Sequence, residues 1–304
     1  MMNILITGGT GFIGQPLCAK LLQLNHTLTV LTRNPKKARK KLGEDITFIQ
    51  NFDELTSSTK LDAVINLAGE SIADKKWSIE RKRLLESSRI DLTADLVAYM
   101  RQLDTKPSVL VSGSAIGFYG EGGDEILTEH TDPHDEFTHR LCAAWEMQAL
   151  RAKADDIRVA ILRTGLVIGK NGGFLQKMLP SFKLGGGAQL GDGKQWMSWI
   201  HLDDYINIIL FLLENKNQNG IFNATAPTPV PNKFFSNMLA SVLKRPRVLT
   251  LPKSVLGVMF GEMSHLLTTS QRVIPSRLLK AGFEFKYPAL KPALAEACGK
   301  SPQE

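Results

Sequence analysis

The sequence predicts an α/β protein, with helices on both faces of a doubly wound parallel sheet and a smaller C-terminal lobe for the substrate. Short β-branched or apolar runs alternate with helical patterns up to about residue 170. A glycine-rich loop follows the first of these runs, and clusters of glycine and proline interrupt the pattern beyond Leu166. We therefore assign residues 1–170, completed by segments near 197–225, to the main domain, and residues 171–196 and 226–304 to the smaller lobe.

The strands are predicted where runs rich in Val, Ile, Leu and Thr are bounded by turn residues, at Asn3–Thr7, Thr27–Thr32, Ile46–Gln50, Asp62–Ala68, Ser108–Ser112, Arg158–Arg163 and Ile221–Ala226. Apolar residues three or four positions apart predict the helices Gly14–Leu24, Ile79–Leu103, His139–Ala154 and His201–Asn215. Because strand–helix–strand units form right-handed crossovers, this alternation places the strands side by side in a parallel sheet.

Composition restricts the function classes. Hydrophobic residues make up 43% and charged residues 22% of the 304 positions, which excludes disordered and fibrous proteins. No apolar run approaches the roughly 18 residues that span a membrane. The first residues lack a basic leader, so we expect no secretory signal. Cys18, Cys142 and Cys298 have neither disulfide nor zinc spacing, which favours a reducing, cytoplasmic location.

The net charge of +7 favours anionic ligands, but the basic residues are dispersed and no nucleic-acid-binding motif accompanies them. We therefore expect a small-molecule partner, no nucleic acid and no membrane, and the sequence makes no prediction about the oligomeric state. His130, His134 and His139 are close in sequence, but spacing on a loop does not define a tetrahedral site, so we expect no metal.

The glycine-rich loop Thr7–Gly14 (TGGTGFIG) lies between the first predicted strand and the first predicted helix. Glycine permits a tight turn, the approach of backbone N–H groups to a diphosphate, and close packing of helix on strand. At this junction the pattern indicates a dinucleotide site, and the alternative is a tight turn without a ligand. The residues predicted to contact the cofactor are Gly8, Thr10, Gly11, Phe12, Ile13 and Gly14.

The end of the second strand indicates which nicotinamide cofactor is bound. In an NAD site an acidic residue about 20 positions after the loop binds the ribose hydroxyls, yet no carboxylate occurs here before Glu44. Thr32 and Arg33 stand in its place, and a guanidinium suits the 2′-phosphate of NADP(H). The basic residues between positions 36 and 41 are also explained as a solvated helix face. We therefore predict NADP(H).

Several motifs together resemble the extended short-chain dehydrogenase/reductases. They are the TGGTGFIG loop, NLAG at 66–69, VSGS at 111–114, LRTGLVIG at 162–169 and HLDD at 201–204. The segments NLAGESIADKKW, SGSAIGFYG and EFTHRLCAAWE are similar to an atypical subgroup described as nucleoside-diphosphate-sugar epimerase-like. The resemblance covers most of the chain, although a shared fold does not by itself establish a function.

The resemblance implies a doubly wound Rossmann sheet and roles for particular residues. Ser114 would take the place of the catalytic serine, whose hydroxyl donates to a substrate carbonyl as hydride arrives. The alternative for Ser114 is a cap on the next helix. The residues implied around the diphosphate and the adenosine ribose are Gly8, Gly11, Gly14, Asn66, Leu67, Ala68 and Gly69.

The chain departs from the superfamily pattern at the proton relay. The resemblance implies a tyrosine and a lysine four residues apart, but the aligned positions hold Thr138 and Cys142, and Arg89 replaces an upstream asparagine. Tyr119 is the first candidate for proton transfer, and Cys142, Thr138 and the adjacent His139 follow. The alternatives are an aromatic wall for Tyr119 and a small buried side chain that contacts only the ribose for Cys142.

Trp196, Trp199 and His201 are candidate walls of the substrate cleft, and core packing between the lobes is the alternative for all three. Trp199, His201 and Lys177 are the candidate substrate contacts. Together these features predict an NADP(H)-dependent oxidoreductase or sugar-nucleotide-epimerase-like enzyme, acting on a carbonyl or sugar-like substrate of unknown identity. The missing tyrosine–lysine pair favours the alternative, an NADPH-binding sensor or regulatory module with negligible turnover.

Overall fold

The computed structural model describes residues 1–300, apart from the side chains of residues 247 and 248. Strands and helices alternate in its first half, which consists of β1 (Asn3–Thr7), α1 (Gly14–Gln23), β2 (Thr27–Leu31), α2 (Pro35–Leu42), β3 (Ile46–Ile49), β4 (Ala63–Asn66), α3 (Ile79–Ser87), α4 (Ile90–Gln102), β5 (Val109–Ala115), β6 (Ile126–Leu127), α5 (Phe137–Leu150) and β7 (Arg158–Thr164).

The second half has shorter elements, as its glycines and prolines predict. They are β8 (Leu166–Ile168), α6 (Gly173–Lys183), β9 (Gly187–Leu190), β10 (Trp196–Met197), β11 (Trp199–His201), α7 (Leu202–Glu214), β12 (Gly220–Ala224), β13 (Val230–Pro231), α8 (Asn232–Val242), β14 (Arg247–Leu251), α9 (Lys253–Phe260), α10 (His265–Thr268), β15 (Arg272–Val273), α11 (Ser276–Lys280) and α12 (Leu290–Ala297).

A seven-stranded parallel sheet forms the centre of the main domain, with the order β12-β7-β5-β4-β1-β2-β3. The chain builds outward from β1 through β2 and β3, then crosses to β4 and continues in the opposite direction. The carboxyl ends of β1 and β4 therefore form a switch point, where parallel α/β sheets bind their ligands. The predicted doubly wound sheet is confirmed.

The central strands are buried on both faces, which explains their near-continuous apolar sequences. Successive residues of β1 show this, since Ile4 belongs to the core on one face and Leu5 to the core on the other. The first core includes Leu17 of α1 and Ile208 of α7, and the second includes Leu96 of α4. The helices thus cover both faces and leave the carboxyl edge of the sheet open to a ligand.

The smaller lobe packs α6, α8 and α12 around a separate apolar core that contains Phe182, Trp199 and Phe235. Leu278 of α11 and Phe283 instead belong to the main core, together with residues of β12. The C-terminal part of the chain therefore contributes to both cores. Among residues 1–300, no helix is both long enough and apolar enough to cross a membrane.

The predicted helix Ile79–Leu103 is wrong at its centre, where the structure has two helices, α3 and α4. At the break, Ser88 Oγ accepts the N–H of Glu70 at 3.0 Å. The Arg89 guanidinium donates to the backbone oxygens of Glu70 and Leu85, at 2.8 and 3.2 Å. These contacts tie the break to the loop after β4, and apolar spacing along the helix does not reveal such a partner.

Buried polar side chains connect the ends of β1, β4 and β5. Thr7 Oγ1 donates to Asn66 Oδ1 at 2.6 Å. Asn66 Nδ2 donates to Thr93 Oγ1 at 2.8 Å and to Ser112 Oγ at 3.2 Å. All four residues are fully buried, so each polar atom depends on these partners. The network holds the strand ends in register at the switch point.

Asn66→Ala is expected to lower the free energy of unfolding by about 1–3 kcal/mol, because it removes the buried acceptor of the Thr7 hydroxyl and the donor to Thr93 and Ser112. Urea titration followed by circular dichroism measures the change. Asn217→Ala, at an exposed position, is the matched control and is expected to stay within about 0.5 kcal/mol of the wild type. An Asn66→Ala protein as stable as this control would contradict the role given to the network.

Candidate functional site

A cleft of about 680 Å³ lies at the switch point, between the carboxyl ends of the strands and the smaller lobe. The loop after β1 and the ends of β4, β5 and β7 line it on one side, and α6 and parts of the smaller lobe line it on the other. The lining residues include Gly8, Gly11, Gly14, Leu67, Gly69, Arg89, Ser114, Thr138, Cys142, Trp145, Lys177, Trp196 and Met197.

The loop after β1 brings its backbone close to the cleft because two glycines leave no room for a side chain. Gly8 has φ +74°, and a Cβ there would lie 2.5 Å from the Leu67 carbonyl oxygen. A Cβ on Gly14, the first residue of α1, would overlap the Gly8 oxygen, to which the Gly11 N–H donates at 3.0 Å. A turn of this form at the start of a helix presents N–H groups to an anion.

The other predicted cofactor contacts in this loop have different surroundings. Phe12 and Ile13 line the cleft, and the Phe12 ring lies against Gly172, where a Cβ would overlap it. Thr10 accepts from Gln15 Nε2 through its backbone oxygen at 2.9 Å. Phe12 therefore also joins the loop to the start of α6 in the smaller lobe.

Arg33 lies beyond the end of β2, and its side chain is 91% exposed. Its Nη1 is 2.9 Å from Glu70 Oε1, and the Glu70 carboxylate also pairs with Arg81 at 3.5 Å. The preceding Thr32 continues the pairing with β3, since its N–H donates to the Ile49 oxygen at 2.8 Å. Because an exposed ion pair is weak, the Arg33 guanidinium can turn from Glu70 to a phosphate at little cost.

The four residues predicted at the end of β4 divide into two pairs. Leu67 and Gly69 line the cleft. Asn66 is fully buried in the polar network, and the Ala68 N–H donates to Thr7 Oγ1 at 3.2 Å. The side chain of Asn66 therefore positions the backbone of its neighbours.

Ser114 lies near the end of β5, lines the cleft and is 4% exposed. Its Oγ donates to Glu146 Oε1 at 2.6 Å. Arg163 of β7 donates to the same carboxylate twice at 2.9 Å, from Nε to Oε1 and from Nη2 to Oε2. The Ser114 proton is thus directed to Glu146, so Ser114 can donate to a substrate carbonyl only if it exchanges this partner. In this arrangement Ser114 offers a ligand its oxygen lone pairs.

Tyr119 does not line the cleft, which corrects its predicted position beside the substrate. It is fully buried, and its hydroxyl donates to Asn223 Oδ1 at 2.6 Å and accepts from Arg163 Nη1 at 3.1 Å. Burial raises the pKa of this phenol to about 12, although the Arg163 charge opposes the shift. The neighbouring His139 contacts the Phe118 oxygen through Nδ1 at 2.8 Å. Tyr119 is thus part of the buried network around Arg163.

Thr138 and Cys142 lie one turn apart on α5, and both line the cleft. Burial raises the pKa of the Cys142 thiol to about 11, the Glu146 charge adds to the shift, and Arg89 opposes it. Since the thiolate is the reactive form of cysteine, Cys142 is a small protonated side chain at neutral pH. Cys142 is therefore a small buried side chain in the wall of the cleft, and its contact with a cofactor ribose stays a prediction.

Trp199 is fully buried in the core of the smaller lobe, which corrects its prediction as a wall of the cleft. Its Nε1 donates to the Thr228 oxygen at 3.0 Å. Trp196 of β10, named with it in the sequence analysis, does line the cleft. Lys177 also lines the cleft, but its Nζ is 2.7 Å from Asp74 Oδ1, so its charge is already paired.

His201 caps α7 and lies outside the main cleft. Its Nδ1 accepts from the Asp203 N–H at 3.1 Å, and its Nε2 is 2.9 Å from Glu296 Oε2. The ring packs against Tyr287 with centroids 3.9 Å apart. His201 borders a second hollow of about 360 Å³ that also includes Phe12. The predicted substrate contact is therefore corrected to a structural cap.

Sequence reasoning missed the buried ion pair that organises the site. Glu146 and Arg163 are single charges that end apolar segments, AAWE and VAILR, and charges in such positions are seldom buried unless they are paired. That signal was present, but their contact depends on how α5 packs against the sheet. Among residues 1–300, no three His, Cys, Asp or Glu side chains are grouped to hold a metal ion.

Two regions of the chain match known families. Residues 4–225 match the NAD dependent epimerase/dehydratase family, and residues 251–297 match a domain of unknown function, DUF1731. The chloroplastic SDR39U1 homolog of Arabidopsis thaliana, an epimerase family protein, is 38% identical over 96% of this chain and 86% of that protein. The epimerase family protein YfhF of Bacillus subtilis is 35% identical over 97% of each chain.

Solved structures show the same fold. Human epimerase family protein SDR39U1, crystallised with NADPH, has a TM-score of 0.89 and 30% identity, covering 98% of this chain and 99% of that one. UDP-glucose 4-epimerase from Thermotoga maritima, crystallised with UDP-glucose, has a TM-score of 0.81 and 19% identity over 98% of each chain. At 19% identity the second likeness shows the fold alone.

Arg163→Met is expected to lower the free energy of unfolding by about 3–5 kcal/mol, since it leaves the Glu146 carboxylate buried without its partner. The double variant Glu146→Gln/Arg163→Met should lose less than the sum of the single losses, because no charge then remains unpaired. Chemical denaturation measures the free energy of unfolding of Arg163→Met, of Glu146→Gln and of the double variant. Arg101→Met, which breaks a more exposed pair with Asp155, is the control and costs at most about 1 kcal/mol. Additive losses would contradict the coupling.

Proposed function

Because this chain belongs to the NAD dependent epimerase/dehydratase family, we propose that it is an NADP(H)-dependent oxidoreductase or epimerase-like enzyme acting on a small carbonyl or sugar-like substrate. One observation carries the proposal. Ser114, backed by the buried pair of Glu146 and Arg163, opens on the same cleft as the glycine loop after β1. A cofactor held by the loop and a hydroxyl held by Ser114 would share one cavity.

The residues around the cleft fit NADP(H). A Cβ on Gly8 or Gly14 would fill the turn that presents backbone N–H groups to the diphosphate. Arg33 is exposed beyond the end of β2, and a 2′-phosphate dianion is a stronger partner for its guanidinium than the single charge of Glu70. The NADPH bound by human SDR39U1, at 30% identity over nearly the whole chain, supports the same cofactor here.

When bound, NADP(H) supplies or accepts the hydride. The chain's own residues would handle the proton. In the oxidising direction, the substrate hydroxyl donates its proton to Ser114 Oγ, and the Ser114 proton passes to Glu146 Oε1 across the existing 2.6 Å hydrogen bond. Arg163 would keep its contact with Glu146 Oε2 and hold the carboxyl group in place, now as the neutral acid. In the reducing direction the two protons return along the same path.

The far wall of the cleft supports a substrate that contains a ring. Trp196 lines this wall, and its indole N–H donates to Asp124 Oδ1 at 2.8 Å. The Arg272 guanidinium lies 4.3 Å from the ring centroid of Trp196, so the aromatic side chain is held from two directions. Met197 and Leu266 extend the apolar surface. A rigid aromatic wall with apolar neighbours suits a sugar or a cyclic carbonyl compound.

A second candidate function is an NADPH-binding sensor with negligible turnover, and one observation favours it. Burial raises the pKa of Tyr119 to about 12 and that of Cys142 to about 11, so neither group changes its protonation near neutral pH. The two functions share the cofactor site. They differ in whether Ser114 and Glu146 move a proton.

The wild-type protein is expected to oxidise NADPH in the presence of at least one member of a carbonyl panel. Ser114→Ala should lower kcat about 10²- to 10⁴-fold, because the proton path is lost. NADPH absorbance measures turnover. A fluorescence titration should show that the Ser114→Ala protein binds NADPH with an affinity within about twofold of the wild type. Ser254→Ala, exposed on α9, is the control and should retain full activity. NADPH binding without turnover on any compound would support the sensor.

Arg33→Ala is expected to weaken NADPH binding about tenfold and to leave NADH binding unchanged, since only NADPH carries the 2′-phosphate. Fluorescence titration of both cofactors measures the two affinities. Lys41→Ala, at an exposed position on α2, is the control and should affect neither. Equal wild-type affinities for NADPH and NADH would contradict the role of Arg33.

A further inference from the structure

Arg89 lies in the chain between α3 and α4. It is a half-buried cation, and it lines the cleft. Residues 1–300 place no carboxylate within ion-pair distance of its guanidinium. The neighbouring Glu70 supplies only its backbone oxygen, at 2.8 Å, because the Glu70 carboxylate pairs with Arg33 and Arg81. A cation withdrawn from water in this way requires partners, and the protein provides neutral ones.

The guanidinium of Arg89 retains donors that its neighbours in the described chain do not use. An arginine side chain has five N–H groups. Nη1 donates to the Leu85 oxygen at 3.2 Å and to Ser88 Oγ at 3.3 Å, and Nη2 donates once, to the Glu70 oxygen. The Nε–H and the second N–H of Nη2 are therefore available to a ligand in the cleft.

The surrounding side chains hold this guanidinium in a defined place. Gly69 makes room for it, since a Cβ at that position would lie 2.9 Å from Arg89 Cζ. The Trp145 ring lies on another side, with its centroid 5.4 Å from Arg89 Cζ. Trp145 is itself fixed by the bond from its Nε1 to Thr93 Oγ1 at 3.0 Å. Arg89 is thus positioned between the loop after β4 and helix α5.

The strand order shows which half of a dinucleotide meets Arg89. The loop that fits a diphosphate follows β1, and Arg33, which fits the adenosine 2′-phosphate, follows β2. Strands β4 and β5 lie on the other side of β1. Gly69 follows β4, and Ser114 stands near the end of β5. A dinucleotide with its adenosine over β2 would therefore extend its other half over β4 and β5, where Arg89 lies.

We propose that Arg89 binds the nicotinamide-bearing half of NADP(H), with its unused N–H groups donating to oxygen atoms of that half. The inference rests on the proposed function only for the identity of the cofactor. The ribose hydroxyls and the carboxamide oxygen are acceptors that a guanidinium recognises without a counter-charge. Arg89 is then a positioning residue, which orients the nicotinamide towards Ser114.

The test compares two ligands of the full-length protein, NADPH and its fragment 2′,5′-ADP, which lacks the nicotinamide half. Arg89→Met is expected to weaken NADPH binding about tenfold and to change 2′,5′-ADP binding by less than about twofold. Arg33→Ala should weaken both ligands, because both carry the 2′-phosphate. Isothermal titration calorimetry measures all the affinities, and thermal unfolding confirms that each variant is folded.

Two further variants keep the result interpretable. Arg89→Lys preserves the charge but has fewer donors. It should therefore show a smaller loss of affinity than Arg89→Met, and only for NADPH. This variant provides the test if Arg89→Met does not fold. Arg101→Met, outside the cleft, should leave both affinities unchanged. Unaltered NADPH binding in the Arg89 variants, or equal weakening of both ligands, would overturn the inference. A selective loss in a protein without turnover would support the inference while refuting hydride transfer as the function.

Discussion

The bidentate ion pair between Glu146 and Arg163 is the interaction on which the site depends. It joins α5 to β7, and neither residue is more than 4% exposed. Glu146 also accepts a hydrogen bond from Ser114, and Arg163 also donates one to the Tyr119 hydroxyl. Because a buried charge is stable only with well-placed partners, the four side chains hold one another in a single arrangement. The position of Ser114 at the cleft is therefore a consequence of charge pairing in the core.

The same network separates two hydroxyl groups that are close in sequence. Tyr119 is drawn towards Asn223 of β12 and away from the cleft, whereas Ser114 keeps an open side. Polar side chains that line the cleft are thus grouped near the carboxyl ends of β4 and β5, where Arg89 and Cys142 also lie. The site combines a carboxylate-backed serine with a guanidinium. The one tyrosine among the residues that line the cleft is Tyr205, which is buried and whose hydroxyl lies 3.0 Å from Thr164 Oγ1.

Individually weak ion pairs connect segments around the cleft that are distant in sequence. Lys177 of α6 pairs with Asp74 in the loop after β4, and Lys82 of α3 pairs with Glu262 at 2.6 Å. These ion pairs are partly exposed, so each contributes little to stability. The apolar cores on either side are separate and well packed. The main domain and the smaller lobe are therefore each stabilised by their own apolar core, and the exposed ion pairs between them add little.

Local sequence patterns were sufficient to predict the parallel sheet and the glycine-rich loop after β1. Burial on both faces leaves an apolar run in each strand, and the turn before α1 requires glycine whatever lies elsewhere in the chain. The surroundings of the polar groups at the site could not be predicted in this way, because they depend on residues that are distant in the sequence. The break between α3 and α4, the burial of Tyr119 and Trp199, and the engagement of the Ser114 proton each arise from contacts between distant segments. No local spacing specifies such contacts, because they form only when helices and strands pack together.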